Sequence, residues 1–164
     1  MNKYLLKRLN TPLMIEYGYL EALLSQEMRI TGAKSKGSFA GSIQVIPVYG
    51  ALSHRSTGLL SWLFGDVMTY ESIRRDFQAA LTNSEVGSIL FDIDSHGGEV
   101  AGVFDLADDI YKARGSKPIL AIANENALSA AYLIASAADE IYLSRTADVG
   151  SIGVTAVHCD YSQM

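Results

Sequence analysis

Residues 117–144 read KPILAIANENALSAAYLIASAADEIYLS. The short apolar run after Pro118 is a strand, the small-residue stretch ALSAAYLIASAA (127–138) is a helix, and EIYLS (140–144) is a short strand again. A strand, a helix and a strand in so little chain form a crossover, which makes the two strands parallel neighbours.

The same alternation runs outward in both directions. Upstream, SIQVIPVYG (42–50) is a strand and TYESIRRDFQAALTN (69–83) a helix capped by Thr69, with Ile73, Phe77 and Leu81 on one stripe. GSILFDID (87–94) is a buried strand, and GEVAGVFDLADDIYKARG (98–115) is a helix that stops at Gly115. Downstream, VGSIGVTAVHCD (149–160) closes the pattern as a strand. The expected fold is therefore α/β, a mostly parallel sheet with βαβ crossovers and helices against it. Further upstream, residues 1–28 are expected to be a helical segment. Its amphipathic part spans 12–28, with Thr11 as cap and Pro12 at the first position. Residues 29–42, mixing Gly, Ser and Lys, are expected to be a flexible linker, and 43–164 the folded core.

The totals narrow the function. A chain of 164 residues suits one domain, and a net charge of −5 offers nothing to neutralise phosphates, so a nucleic-acid partner is not expected. A single cysteine, Cys159, allows no internal disulfide, which suits a reducing cytoplasm. No apolar run reaches membrane-spanning length. HCD (158–160) lacks a second ligand cluster, so neither a metal nor any other cofactor is expected.

In a parallel sheet, ligands bind at the carboxyl ends of the strands. The loops after Asp94, Asn124 and Ser144 share that end, so SHGG, NENALS and the approach to GSIGV can be neighbours. Glycines at such a turn let backbone N–H groups approach an anion, although a lone Gly-Gly pair is more often only a tight turn. Ser129, at the second turn, could present a hydroxyl there. Gly97 or Gly98, with Ala130, could then supply two oxyanion donors. Against that stands plain packing, because six alanines and two serines between 127 and 138 let a helix lie close to a sheet. A serine nucleophile also needs a base. His54, His96 and His158 are each individually more often structural, although His158 could serve as base in a triad. Lys117 begins its strand, ~20 Å from the far end at about 3.3 Å per residue, and Lys112 shares that wrong end.

VIPVYGALSHR (45–55), FDIDSHGGEVAGVFDLADDI (91–110), AIANENALSAAYLIASAADEIYLSRTADVGSIGV (121–154) and HCDYS (158–162) together resemble the signal peptide peptidase A family of serine peptidases. The resemblance is to its phage and prophage branch of head-maturation, or capsid assembly, proteases. It implies a Clp protease/crotonase-like fold and a Ser–Lys dyad. By position, Ser129 is the implied nucleophile, Gly97 or Gly98 and Ala130 N–H the implied oxyanion donors, and Ser151 is similar to a serine that helps orient the lysine. The family's lysine follows the GSIGV strand at a point beyond Met164, so a C-terminally truncated chain without its general base is expected. His96 stands where the family usually has proline. The implied partners are a protein or peptide substrate, such as a phage scaffold or portal protein, and further copies of the chain in a homo-oligomer. TGLLSWLFGD (57–66) is read as part of a substrate groove or subunit contact. The alternatives are a non-catalytic assembly piece and a crotonase-like acyl-CoA enzyme using Glu99 or Glu125.

Overall fold

The computed structural model describes residues 13–15, 38–40, 43–55 and 67–156, the first two stretches by backbone course only. The elements are β1 (Leu13–Ile15), β2 (Ser38–Ala40), β3 (Ile43–Ser53), β4 (Met68–Thr69), α1 (Tyr70–Thr82), β5 (Ser88–Glu99), α2 (Val103–Lys112), β6 (Ile119–Leu128), α3 (Ala130–Ser136), β7 (Glu140–Leu143) and β8 (Asp148–Gly150). Among the described residues the sheet order is β2-β3-β5-β6-β7, with β1 on β5, β4 on β3 and β8 on β6. The ladders β3–β5, β5–β6, β6–β7 and β6–β8 are all parallel, as the strand–helix alternation requires.

Alternation along β5 explains why the helices cover one face. Ile89, Phe91 and Ile93 are buried, while Leu90, Asp92 and Asp94 between them are only partly covered. The buried set packs with Ile73 and Phe77 of α1, Leu106 and Ile110 of α2, and Ile134 of α3 in one core. The Phe77 and Phe91 rings meet at 5.7 Å between centroids. Thr69 caps α1 by accepting Ser72 N–H at 3.1 Å, and Gly115, at φ 82°, turns the chain after α2.

Several boundaries differ from the sequence reading. Leu13–Ile15 is a strand antiparallel to Gly97–Glu99, not the start of a helix. Three successive apolar residues fit either period, and the partner edge on β5 decides between them. Ser38–Ala40 pairs antiparallel with Ile43–Val45, where the linker was expected. The rest of 12–28 and of 29–42 lies outside the described residues. β5 runs on through SHGG to Glu99 instead of ending at Asp94, and α2 begins only at Val103. β6 likewise continues to Leu128, so α3 starts at Ala130 and not at Ala127. Of the strand expected over 149–160, the described part up to residue 156 forms a strand only at Asp148–Gly150, followed by Ser151 at φ 51°, and 157–160 lie outside the described residues. Positive φ at Gly150 and Ser151 ends the extended run.

The core argument gives a direct expectation. Phe77→Ala removes a fully buried ring and should lower unfolding free energy by about 3–5 kcal/mol in urea titration.

Candidate functional site

The site is assembled by two irregularities in the ladders flanking β5. Between β3 and β5 the pairing passes from Tyr49↔Asp94 to Ala51↔Gly97, so β5 takes three residues where β3 takes two. Such a bulge leaves ladder groups without their regular partners. Ser95, fully buried, bridges the gap: its hydroxyl donates to Gly50 O at 2.6 Å and accepts Gly97 N–H at 3.1 Å. Gly97 sits at φ 103°, a conformation that favours glycine. Gly98 is glycine for a different reason, since a Cβ there would lie 1.8 Å from Leu52 O.

Between β5 and β6 the register passes from Ile93↔Ala123 to Ser95↔Ala127, giving β6 two extra residues. One pair, Ser95↔Ala127, follows the irregularity, and two residues beyond it along each chain come Gly97, still in β5, and Ser129, just past the end of β6. The handover on the other edge of β6 falls at the same place: β7 pairs with Leu120–Ala123 and β8 with Asn126–Leu128.

Ser129 is the residue between β6 and α3, with φ 54° and ψ −115°. A non-glycine residue there carries strain on the order of 1–3 kcal/mol. Neighbouring backbone holds it: Ser129 N–H donates to Gly150 O at 2.8 Å, and Leu133 N–H to Ser129 O at 3.0 Å. The side-chain hydroxyl donates to Gly153 O at 3.3 Å, and the residue as a whole is 2% exposed. Ala130 is the first residue of α3, so its N–H has no acceptor inside the helix. Arg114 donates to the carbonyls of Ser136, Ala137 and Ala138 at the opposite end of α3, satisfying groups the helix cannot.

The structure therefore brings Ser129, Ala130, Gly97 and Gly98 to one end of the sheet. Ser151 follows the carbonyl that holds Ser129 N–H and is itself exposed. His96 is a β5 residue, between Ser95 and Gly97. His54 donates its backbone N–H to Glu99, whose side chain is buried, and Gly102 packs against the His54 ring. Glu125 is exposed in the β6 bulge. Lys117 lies at the other end, donating to Ala80 O at 2.9 Å and to Asn83 O. Lys112 pairs with Asp108 on α2. His158, Cys159 and TGLLSWLFGD lie outside the described residues. Among the described residues, no group of three or more His, Cys, Asp or Glu could hold a metal ion. No helix among them is long and apolar enough to cross a membrane.

Sequence reasoning missed Ser95. Its signal was available, since an apolar alternation that predicts a buried position there meets a serine. It also missed a polar ladder on the face without described helices. Tyr49 O–H and Asn124 N–H both donate to Asp92, and Asn126 donates to Asp94 at 3.2 Å. Burial, then the hydrogen bond to Asp92 and the charges of Asp92 and Asp94, push the Tyr49 phenol up to about 12. Buried Tyr70 is also raised, by desolvation first and the Glu99 charge second.

Three comparisons bear on this arrangement. Residues 112–164 match the sequence model of peptidase family S49. The head-tail preconnector protein GP5 of Enterobacteria phage P21 is 43% identical over 120 residues, covering 73% of this chain and 24% of that protein. Capsid assembly protease C of Escherichia phage lambda is 41% identical over 119 residues, covering 73% and 27%. The chain thus spans about a quarter of the length of these curated relatives. A solved enoyl-CoA hydratase/isomerase family member superposes with a TM-score of 0.50 at 14% identity, over 70% of this chain and 49% of that one. At that identity the likeness concerns the fold, which is the crotonase-like α/β fold expected from the motifs.

Ser95→Ala should cost about 1–3 kcal/mol, because Gly50 O and Gly97 N–H lose their shared partner in a dry site; chemical denaturation measures it. For Tyr49, the raised folded value means that its contribution to stability is complete below about pH 10, the unfolded value, and is lost as pH rises through about 12. Asp92→Asn should lower the Tyr49 midpoint, seen by NMR of labelled tyrosine. It should nonetheless stay above about 10, since burial is the larger cause.

Proposed function

Since residues 112–164 match peptidase family S49 and most of the chain is similar to two phage proteins, one of them a capsid assembly protease, we propose that it carries the nucleophile and oxyanion hole of a serine endopeptidase that processes phage capsid or scaffold proteins. The observation that carries this reading is Ser129 itself: a strained, non-glycine residue at a strand-to-helix turn, two residues past the Ser95↔Ala127 pair that joins its strand to the one carrying Gly97–Gly98. Strain kept at a position where a glycine would relax it is a mark of a working residue.

In this reading Ser129 Oγ attacks the carbonyl carbon of an extended peptide, and its proton passes to a general base. The carbonyl oxygen takes up the negative charge and is held by backbone N–H groups. Ala130 N–H at the start of α3 is one donor. Gly97 N–H is committed to Ser95, which leaves the second donor to Gly98. Loss of one such donor costs roughly 3–4 kcal/mol of transition-state stabilisation. The base returns the proton to the departing amine, and water then hydrolyses the acyl-serine ester. Gly153 O orients the hydroxyl but cannot take its proton, so the base must be a separate group. The resemblance supplies a lysine for it, from outside these 164 residues, with Ser151 helping to orient that lysine. The substrates would be met in the cytoplasm of the host cell, by an assembly of several copies of the chain.

The test uses the full-length protein with a scaffold or capsid protein as substrate. Ser129→Ala should reduce cleavage by about 10⁴-fold or more, and a serine-reactive phosphonate should label Ser129 in the parent. Unchanged cleavage in the mutant, or a phosphonate adduct on a different serine, would sink the assignment. Cleavage by neither protein, with no adduct, would mark the domain as a non-catalytic assembly piece.

A further inference from the structure

β5 has two edges, and their occupants change along its length. From Ser88 to Ile93 it lies between β3 and β6, with Ser95↔Ala127 the last step beside β6. β6 then ends at Leu128 and the chain turns away at Ser129, while β5 continues to Glu99. β3 keeps its side throughout, through Ala51↔Gly97 and Leu52↔Gly98. The edge of Gly97–Glu99 that β6 has vacated is therefore a short open template, collinear with β6 and leading to the Ser129 turn. An exposed strand edge of this kind binds extended peptide through backbone hydrogen bonds.

In this structure the edge is filled by the chain itself. β1 pairs with it antiparallel, Leu13↔Glu99, Met14↔Gly98 and Ile15↔Gly97. Since β3 takes the other side of the same residues, β1 must lie on the β6 side. Its direction matters as well: from Leu13 to Ile15 the chain runs from Glu99 toward Gly97, that is, toward the end of β6 next to which Ser129 stands. A segment placed there has the position and course of a bound peptide.

We infer that Leu13–Ile15 is an intramolecular occupant of the extended-peptide site, and that a protein substrate must displace it from the Gly97–Glu99 edge. The inference rests on the proposed peptidase reading for its consequence, since displacement then gates access to Ser129. The occupancy itself does not depend on that reading. A three-residue ladder is short enough to exchange with an added peptide. The recognised chemistry is an extended backbone, for which residues 11–19, TPLMIEYGY, provide the probe.

The experiment uses the full chain and a Met14→Pro/Ile15→Pro variant. Antiparallel partners alternate between hydrogen-bonded and non-bonded pairs. Proline at two successive positions therefore removes a ladder donor whichever pair is bonded. Amide hydrogen exchange at Gly98, the edge residue opposite Met14, should be at least tenfold faster in the variant, with Ile89–Ile93 unchanged as the control for an intact core. The synthetic TPLMIEYGY peptide should bind the variant at least tenfold more tightly than the parent, by titration calorimetry. Equal exchange at Gly98, or equal affinity for the peptide, would overturn the inference. Since Gly97 N–H is held by Ser95, Met14↔Gly98 is the bonded pair, and a single Met14→Pro chain gives the same comparison should the double variant lose protection at Ile89–Ile93. None of these readouts requires catalysis. Peptide binding restored in the variant while Ser129 resists the phosphonate would uphold the occupancy and count against the peptidase reading alone.

Discussion

Parallel pairing of β5 with β6, resumed in step after a two-residue excess in β6, is the constraint on which the rest of the site depends. A parallel ladder brings strand ends of the same sense together, so both chains leave the sheet at one pole. The Ser95↔Ala127 step then fixes how far each has travelled. From it, two residues along β5 reach Gly97, and two along the other chain reach Ser129, just past the end of β6. The pairing survives beside the β3 bulge because Ser95 joins Gly50 O to Gly97 N–H in the dry interior. One hydroxyl serves as donor and acceptor at once, which an apolar side chain of that size could not do.

Ser129 shows how packing sustains strain. Its φ of 54° costs free energy that no single contact offsets. The turn is held on three sides, by Gly150 O, by the first hydrogen bond of α3 and by Gly153 O. α3 has only seven residues, too short to be stable alone. Its stability comes from Ala130, Ala131, Ile134 and Ala135, all buried, and from Arg114 at its far end. Small side chains bring the helix backbone near the sheet, and they also begin the helix, so that Ala130 N–H lies at its free N-terminus. Close packing and the candidate chemistry are thus one feature of the sequence.

The alternating strands and helices from Ile43 to Leu143 were legible because burial follows simple periods in β5, α1 and α2. The Thr69 cap and the Gly115 stop were legible from local chemistry. The strand ends were not. SHGG and NENAL carry turn-forming residues, yet both remain extended, because a neighbouring strand supplies partners that no local pattern encodes. Leu13–Ile15 failed as a helix start for the same reason, its partner lying more than 80 residues away in the chain. Ser129 and the paired glycines were visible as types of residue, and only the long motif resemblance made them stand out from packing. Ser95 was overlooked because its task arises from a bulge between two strands, a property of neither strand alone.

The three occupants of the β5 edges also explain why glycine is needed twice in succession. At Gly98 the Leu52 carbonyl fills the space a Cβ would take, so β3 presses against one side of the turn. At Gly97 the backbone adopts φ 103°, which lets the strand pass the bulge and still offer its other edge to β1. A residue with a side chain at either place would push β3 away or twist the edge out of line. The pair thus does two things at once, closing the sheet against β3 and keeping a straight backbone edge beside Ser129. An edge kept bare of side chains on the approach to a strained serine reads chain backbone and little else, so a segment of the protein's own chain can rest on it.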